Sequence, residues 1–280
     1  MAALLCSSTP ASAAKTVRHF EMKEAAGELE VSAGIEVIYT PTDSRDGMRI
    51  RLEGEEENLD CLTVQQVGNK LIFKLNPDSG AISVAGIQAY VSLPPVSSIS
   101  VTSAGTVTVE GDFDSEKSLT LYASVSGSIN MDNVYLSDNS CLDVTTSSSG
   151  SIDIDQAFAG TFKGSSTSSG DIDINNITAD SATIRCSSSG EFETELKVNA
   201  LTASSSSNGN MSLSGIVGNA SLTASSNGEI DAEDLTAKRV SISESRRTGG
   251  KIIGFGKADS DDDENELNED RARSVKLEMP

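Results

Sequence analysis

Apolar and polar positions alternate along the chain in short runs, and a serine-rich phrase ending in glycine interrupts them about every twenty residues. Residues 166–196, "STSSGDIDINNITADSATIRCSSSGEFETEL", show the phrase twice. Aligning the chain on Gly105, Gly127, Gly150, Gly170, Gly190, Gly209 and Gly228 gives spacings of 22, 23, 20, 20, 19 and 19 residues. A period near twenty is the mark of a solenoid or repeat array.

Read by columns, the repeat separates two environments. Two residues after the glycines stand Ile129, Ile152, Ile172, Phe192, Met211 and Ile230, and four after stand Met131, Ile154, Ile174, Thr194, Leu213 and Ala232. Six before stand Leu121, Val144, Gly164, Ile184, Ala203 and Leu222, and four before stand the uniformly small Ala123, Thr146, Ser166, Cys186, Ser205 and Ala224. These columns are expected to face inward. The positions between them are polar, and period-two alternation places them on the solvent side of two strands that meet near the glycine.

Each unit is thus a strand, a glycine-containing bend and a second strand, closed by a variable stretch such as "NNITAD" or "LKVNA". A unit so small buries its apolar side only by stacking on its neighbours. The fold class expected is all-β: a parallel β-solenoid, right-handed β-helix-like, with coils of about 20 residues over 101–250. Stacking puts like residues above like residues, so the sequence repeats by column. The glycine is expected to supply either a positive-φ bend or a place without a Cβ where the coil turns tightly, and Asn208 and Asn227 before two of the glycines suit the same bend.

Outside the repeat the pattern changes. Residues 15–100 lack the phrase yet remain strand-like, as in "GELEVSAGIEVIYTPTD" and "NKLIFKLNP". They are expected to form an irregular β region, continuous with the solenoid, that covers its first coil and removes a free strand edge. At the start, an apolar run from Ala2 to Cys6 and the small-x-small Ala11-Ser12-Ala13 read as an export signal over 1–13. At the end, residues 257–280 carry an acidic run without apolar periodicity, expected to be a disordered tail.

Composition narrows the function classes. Aromatics are 4% of the 280 residues and Trp is absent, which suits many short strands. The formal net charge of -21 makes nucleic acid an unfavourable partner. No segment reaches the length of a transmembrane span. Once the signal is removed, Cys61, Cys141 and Cys186 match no disulfide framework and no zinc pattern, and no cofactor is called for.

Candidate chemistry follows from the outward columns. His19 is the only histidine, in the first expected strand and far in sequence from the serine clusters, so a Ser-His-Asp system has little to build on. Carboxylates recur in the ladder Asp153, Asp173 and Glu193 and in the neighbouring positions Asp155, Asn175 and Glu195. A glycosidase pair needs two acids in different environments, and nothing marks one of these from the next. They read first as a solvated face, with Asp153, Asp155, Asp173, Glu193 and Glu195 as calcium candidates. Cys186 falls in the small inward column and reads as packing. A hydroxyl face, represented by Thr145, Ser165, Arg185, Ser204 and Thr223, is the candidate ligand surface.

The stretches "FEMKEAAGELEVSAGIEVIYTPTDS", "GNKLIFKL" and "AYVSLPPVSSISVTSAGTVTV", together with the repeated Ser-Gly-x-Ile-x-Ile phrase, resemble the bacterial family called putative auto-transporter adhesin, head GIN domain. The resemblance covers residues 17–245. It implies an exported β-helical protein without established catalytic activity. This chain departs from the family in reading "SSSG" or "SSNG" where Gly-Ser-Gly is usual, and in its charged ending. The function expected is that of a non-enzymatic envelope or surface protein, adhesin-like, recognising a glycan or another surface partner through its solenoid faces. A carbohydrate-active β-helix enzyme and a purely structural envelope protein are the alternatives.

Overall fold

The computed structural model describes residues 15–254, except 23, 44–46 and 83, and the strand at 277–278. The expected export signal over 1–13 and almost all of the tail over 257–280 lie outside the described residues.

The chain is a β-solenoid of about eight turns, with parallel stacked coils. In the regular part, after β13 (Cys141–Ser147), the strands run long: β14 (Ser151–Thr167), β15 (Asp171–Ser187), β16 (Glu191–Ser206) and β17 (Asn210–Ala224). β14 shows where a coil bends. Inward and outward positions alternate until two neighbours, Asp155 and Gln156, are both exposed, and again until Phe158 and Ala159 are both half-buried. A straight strand cannot place neighbours on one side, so each coil has three sides.

The first side is built from β8 (Ser98–Val101), β11 (Leu119–Ser124), β13 and the ends of β14 to β17. The second stacks β9 (Thr106–Val109), the start of β12 (Ser128–Leu136) and the starts of β14 to β17. The third begins at β10 (Phe113–Ser115), passes through Asn133–Leu136 of β12, and continues through the stretches that the sequence left variable.

The four inward columns are all buried. Inside, Phe162 and Phe192 pack edge to face with ring centroids 6.1 Å apart, and Gly164 makes room for them: a Cβ there would run into the Phe192 ring. The small column forms a polar seam. The Thr146 hydroxyl donates to Ser166 Oγ at 3.1 Å, and Ser166 and Ser205 donate to the carbonyls of Gly170 and Gly209 at 2.6 and 2.7 Å. Cys186 takes the same place and donates through Sγ to the Gly190 carbonyl at 2.8 Å. Burial pushes this thiol up to about 11, which keeps it protonated and unreactive.

The corners resolve the role of the glycines. From Gly127 onward it is the two residues before each of these glycines that take positive φ, as at Ser168 (53°) and Ser169 (64°) or Ser207 (53°) and Asn208 (65°). Each pair forms the centre of a turn closed by the glycine amide, as in Gly170 N to the Thr167 carbonyl at 3.0 Å. Positive φ at both central residues is the I′ pattern. The glycine itself is needed because its missing Cβ would strike the coil before it: at Gly190 it would lie 2.6 Å from the Ser166 carbonyl oxygen. Of the two roles expected for glycine, close approach is the one it fills; the positive φ belongs to the two residues before it, which are serine or asparagine except at Val125 (54°). Left-handed backbone costs an L-residue roughly 1–2 kcal/mol. Stacking offsets it through backbone bonds to the next corner, such as Ser169 N to the Ser188 carbonyl at 3.2 Å.

The N-terminal region enters the stack out of chain order. β2 (Glu28–Ser32) lies parallel between β6 (Lys70–Leu75) and β8, and β3 (Glu36–Pro41) lies parallel between β7 (Gln88–Leu93) and β9. Residues 28–41 are therefore a coil inserted between two later ones. The cover lies beyond them: β5 (Leu62–Val67) runs antiparallel to β6, β4 (Arg49–Gly54) antiparallel to β7, and β1 (Thr16–Phe20) antiparallel to β4. A short helix α1 (Glu56–Asp60) seats the buried Leu59 beside them. At the other end, β18 (Glu229–Asp231), β19 (Leu235–Glu244) and β20 (Lys251–Ile253) continue the ladders, and β21 (Leu277–Glu278) runs antiparallel to β19. No helix among the described residues is long and apolar enough to cross a membrane.

Candidate functional site

The first side carries the hydroxyl face. Thr145, Ser165, Arg185, Ser204 and Thr223 stand in direct register from coil to coil, so the structure brings all five into one column. Thr183 and Ser187 flank Arg185 two residues away on the same face. Arg185 is exposed and makes no ion pair or side-chain hydrogen bond among the described residues. With Asp143 and Lys163 it borders a shallow depression.

The acidic ladder lies on the second side. Asp153, Asp173 and Glu193 are in register and exposed, with Asp171 and Glu191 in register beside them. The neighbouring column is interrupted. A bulge at Asn175 shifts the register, so that Glu195 pairs with Asn176, and Asn175 instead donates to Asp155 Oδ1 at 3.0 Å. Among the described residues no three His, Cys, Asp or Glu side chains are grouped to hold a metal ion. Asp173 is raised above the ordinary carboxylate value by partial desolvation and then by the charges of Asp153 and Asp155. Asp171 is raised by desolvation and then by Glu191 and Asp153. The ladder is a column of mutually repelling charges.

His19 is exposed on β1, paired opposite Arg51. Four strands, β7, β3, β9 and β12, separate β4 beside it from the Asp153 strand β14. It is brought to none of the serine columns.

The third side holds a feature that sequence reasoning missed. A groove of about 530 Å³ crosses several coils. Its floor is Ala159, Ala179, Val198 and Val217, in register from β14 to β17. One wall is the outward column Phe158, Thr178, Lys197 and Ile216. This column starts at Tyr135, whose ring stacks on Phe158 with centroids 5.1 Å apart, and Ile216 is 65% exposed. The opposite wall is polar, with Asp138, Asp180, Asn199 and Lys238, and Asn199 Nδ2 donates to Asp180 Oδ1 at 3.3 Å. Gly160 and Gly218 keep that wall low, since a Cβ at either would run into the backbone of the preceding coil. The wall column was open to reading at eight residues after each glycine. The one-residue deletion beyond Asn175 moves it to seven in the coils of Gly190 and Gly209, which broke the alignment.

Comparison with known proteins gives a consistent picture. A family profile described as putative auto-transporter adhesin, head GIN domain, matches residues 27–193 and again 163–253. No curated protein matches the chain. Among solved structures, a putative adhesin from Parabacteroides distasonis is similar with a TM-score of 0.64 at 14% identity, over 88% of this chain and 96% of that one. One from Parabacteroides merdae has a TM-score of 0.63 at 11% identity, over 86% and 93%. A third, from Bacteroides fragilis, has 0.58 at 14% identity, over 85% and 95%. At these identities the likeness is one of fold.

Proposed function

The chain belongs to the putative auto-transporter adhesin, head GIN domain family, and from that premise we propose that it is a non-enzymatic, exported, adhesin-like protein. It recognises a glycan or another cell-surface partner through the sides of its solenoid. The observation that carries the reading is the register of the outward columns: hydroxyls recur along the first side and carboxylates along the second at the spacing of stacked strands, about 4.7–4.9 Å. That is a lattice suited to a long or repetitive ligand. Thr145, Ser165, Arg185, Ser204 and Thr223 on the first side and the groove on the third are its two candidate surfaces.

The carboxylates favour this reading over a carbohydrate-cleaving one. Hydrolysis calls for one acid that donates and one that stays ionised. Asp171 and Asp173 are both raised, by desolvation first and then by neighbouring carboxylates, and stand in adjacent exposed columns of one side. A glycan-array screen run beside a reducing-sugar release assay separates the possibilities. Binding without release is the expected result, release of sugar overturns it, and neither binding nor release favours a structural envelope component.

A further inference from the structure

We infer that the groove on the third side is a binding site for a linear, uncharged glycan whose pyranose rings lie along the solenoid axis. This rests on the surface-recognition reading above and gives it a site and a ligand class.

Three properties of the groove point to that occupant. The first is its two-sided chemistry. A pyranose has an apolar C–H face and an edge of hydroxyls that both donate and accept. Along the outward wall Phe158 and Ile216 offer apolar surface at the two ends, with Thr178 and Lys197 between them, and opposite that polar middle stand Asp180 and Asn199, a carboxylate that accepts and an amide that does both. All of these side chains are exposed or half-buried, and Ile216 is one of few large apolar side chains left open to water among the described residues. The second is periodicity. Phe158, Thr178, Lys197 and Ile216 come from four successive coils in direct register. Each coil advances about 4.8 Å along the axis, close to the length of one ring in an extended glycan chain. A repeating polymer thus meets one outward side chain per ring. An extended peptide would be poorly served, because the floor belongs to strands already paired on both edges and offers no free backbone ladder. The third is charge. In the groove Asp138 and Asp180 are balanced by Lys197 and Lys238, so it offers no net charge to hold a polyanion, and the chain's net charge of -21 opposes a polymer of uronate or sulfated sugars.

The test uses the full chain and linear neutral oligosaccharides of graded length as probes, with affinities measured by calorimetry against a uronate oligomer. Affinity is expected to rise with length until the chain spans the groove. Ile216→Asp and Asp180→Ala, both at exposed positions, should each raise Kd by about tenfold, while Ser212→Ala, exposed on the second side, leaves it unchanged; Arg185→Glu on the first side tests the other candidate surface. Circular dichroism melts of each variant show that the fold is intact. Since Ile216→Asp also adds charge, Ile216→Ser serves as the uncharged counterpart and should weaken binding in the same direction.

Loss of binding on Arg185→Glu with the groove variants unaffected overturns the groove assignment and leaves surface recognition standing. Preference for the uronate oligomer overturns the ligand class. Absence of binding to any glycan, by array and by calorimetry, overturns this inference; capture of a protein partner on the same surface would then leave the wider reading in place.

Discussion

The corner geometry assigns opposite roles to two adjacent residues, and exchanging their side chains tests both. At Gly190 an added Cβ would lie 2.6 Å from the Ser166 carbonyl oxygen and 2.7 Å from both the Ser166 carbonyl carbon and Oγ, two of them backbone atoms that cannot swing aside. The coils would have to part by most of an ångström. The bonds between these two coils, Glu191 N to the Gly170 carbonyl at 2.9 Å and Ser169 N to the Ser188 carbonyl at 3.2 Å, resist that parting. Overpacking costs roughly 1–3 kcal/mol, and weakening those two bonds adds about 1 kcal/mol. The general benefit of alanine over glycine through the unfolded chain returns roughly 0.4–1 kcal/mol. Gly190→Ala should therefore destabilise by about 2 kcal/mol, which lowers Tm by roughly 4–8 °C in a chain of this size. One residue earlier, Ser189 sits at φ 66° with its side chain exposed. Ser189→Gly relieves roughly 1–2 kcal/mol of left-handed strain against about 0.5–1 kcal/mol of added chain entropy, so it should be neutral or slightly stabilising. Urea and thermal unfolding followed by circular dichroism measure both. A Gly190→Ala protein as stable as the parent, or a Ser189→Gly protein that loses as much, would refute the assignment of roles.

The inward and outward columns make a second pair: Ile184→Asp, fully buried, should cost several kcal/mol, while Arg185→Asp next to it should change stability by about 0.5 kcal/mol, read as the gap between their melting curves. Cys186→Ser copies what stands in the coils on either side and should melt within about 1 kcal/mol of the parent, and in the parent Cys186 should resist thiol labelling until the chain is unfolded. For the acidic ladder, the folded chain holds the protons of Asp171 and Asp173 more tightly than the unfolded chain does. The stability they contribute is therefore full below about pH 4 and is lost as pH rises through their raised folded values. Asp173→Asn should flatten that part of the stability–pH curve and stabilise at neutral pH; an unchanged slope would refute it. Sodium chloride and calcium at matched ionic strength should stabilise the ladder alike, and a calcium-specific rise in Tm abolished by replacing Asp153, Asp173 and Glu193 together with Ser would make it a metal site after all.

Much of this molecule was legible because stacking forces periodicity onto the sequence. Ile152, Ile172 and Phe192 occupy one environment repeated along an axis, so composition at each column reports burial directly. The same holds for the outward line from Thr145 to Thr223, whose members were aligned correctly by glycine spacing alone. Where spacing changed the reading slipped: the bulge at Asn175 moved Glu195 opposite Asn176 and hid the wall that runs from Tyr135 to Ile216.

What the sequence determined alone was the local alternation, the coil period and the identity of the buried columns, since all three depend on neighbours fixed by chain distance or by repetition. Tertiary structure decided what depends on contact between coils. It placed residues 28–41 between two later coils, because parallel pairing is satisfied by any strand of matching pattern and not by the next one in sequence. It assigned positive φ to the serines, because only the position of the preceding backbone shows that the glycine must lack a Cβ. And it made a groove from alanines, valines and glycines that carry no signal of their own, because a groove is defined by the height of its walls, and those walls come from side chains some twenty residues apart brought together by the rise of one strand.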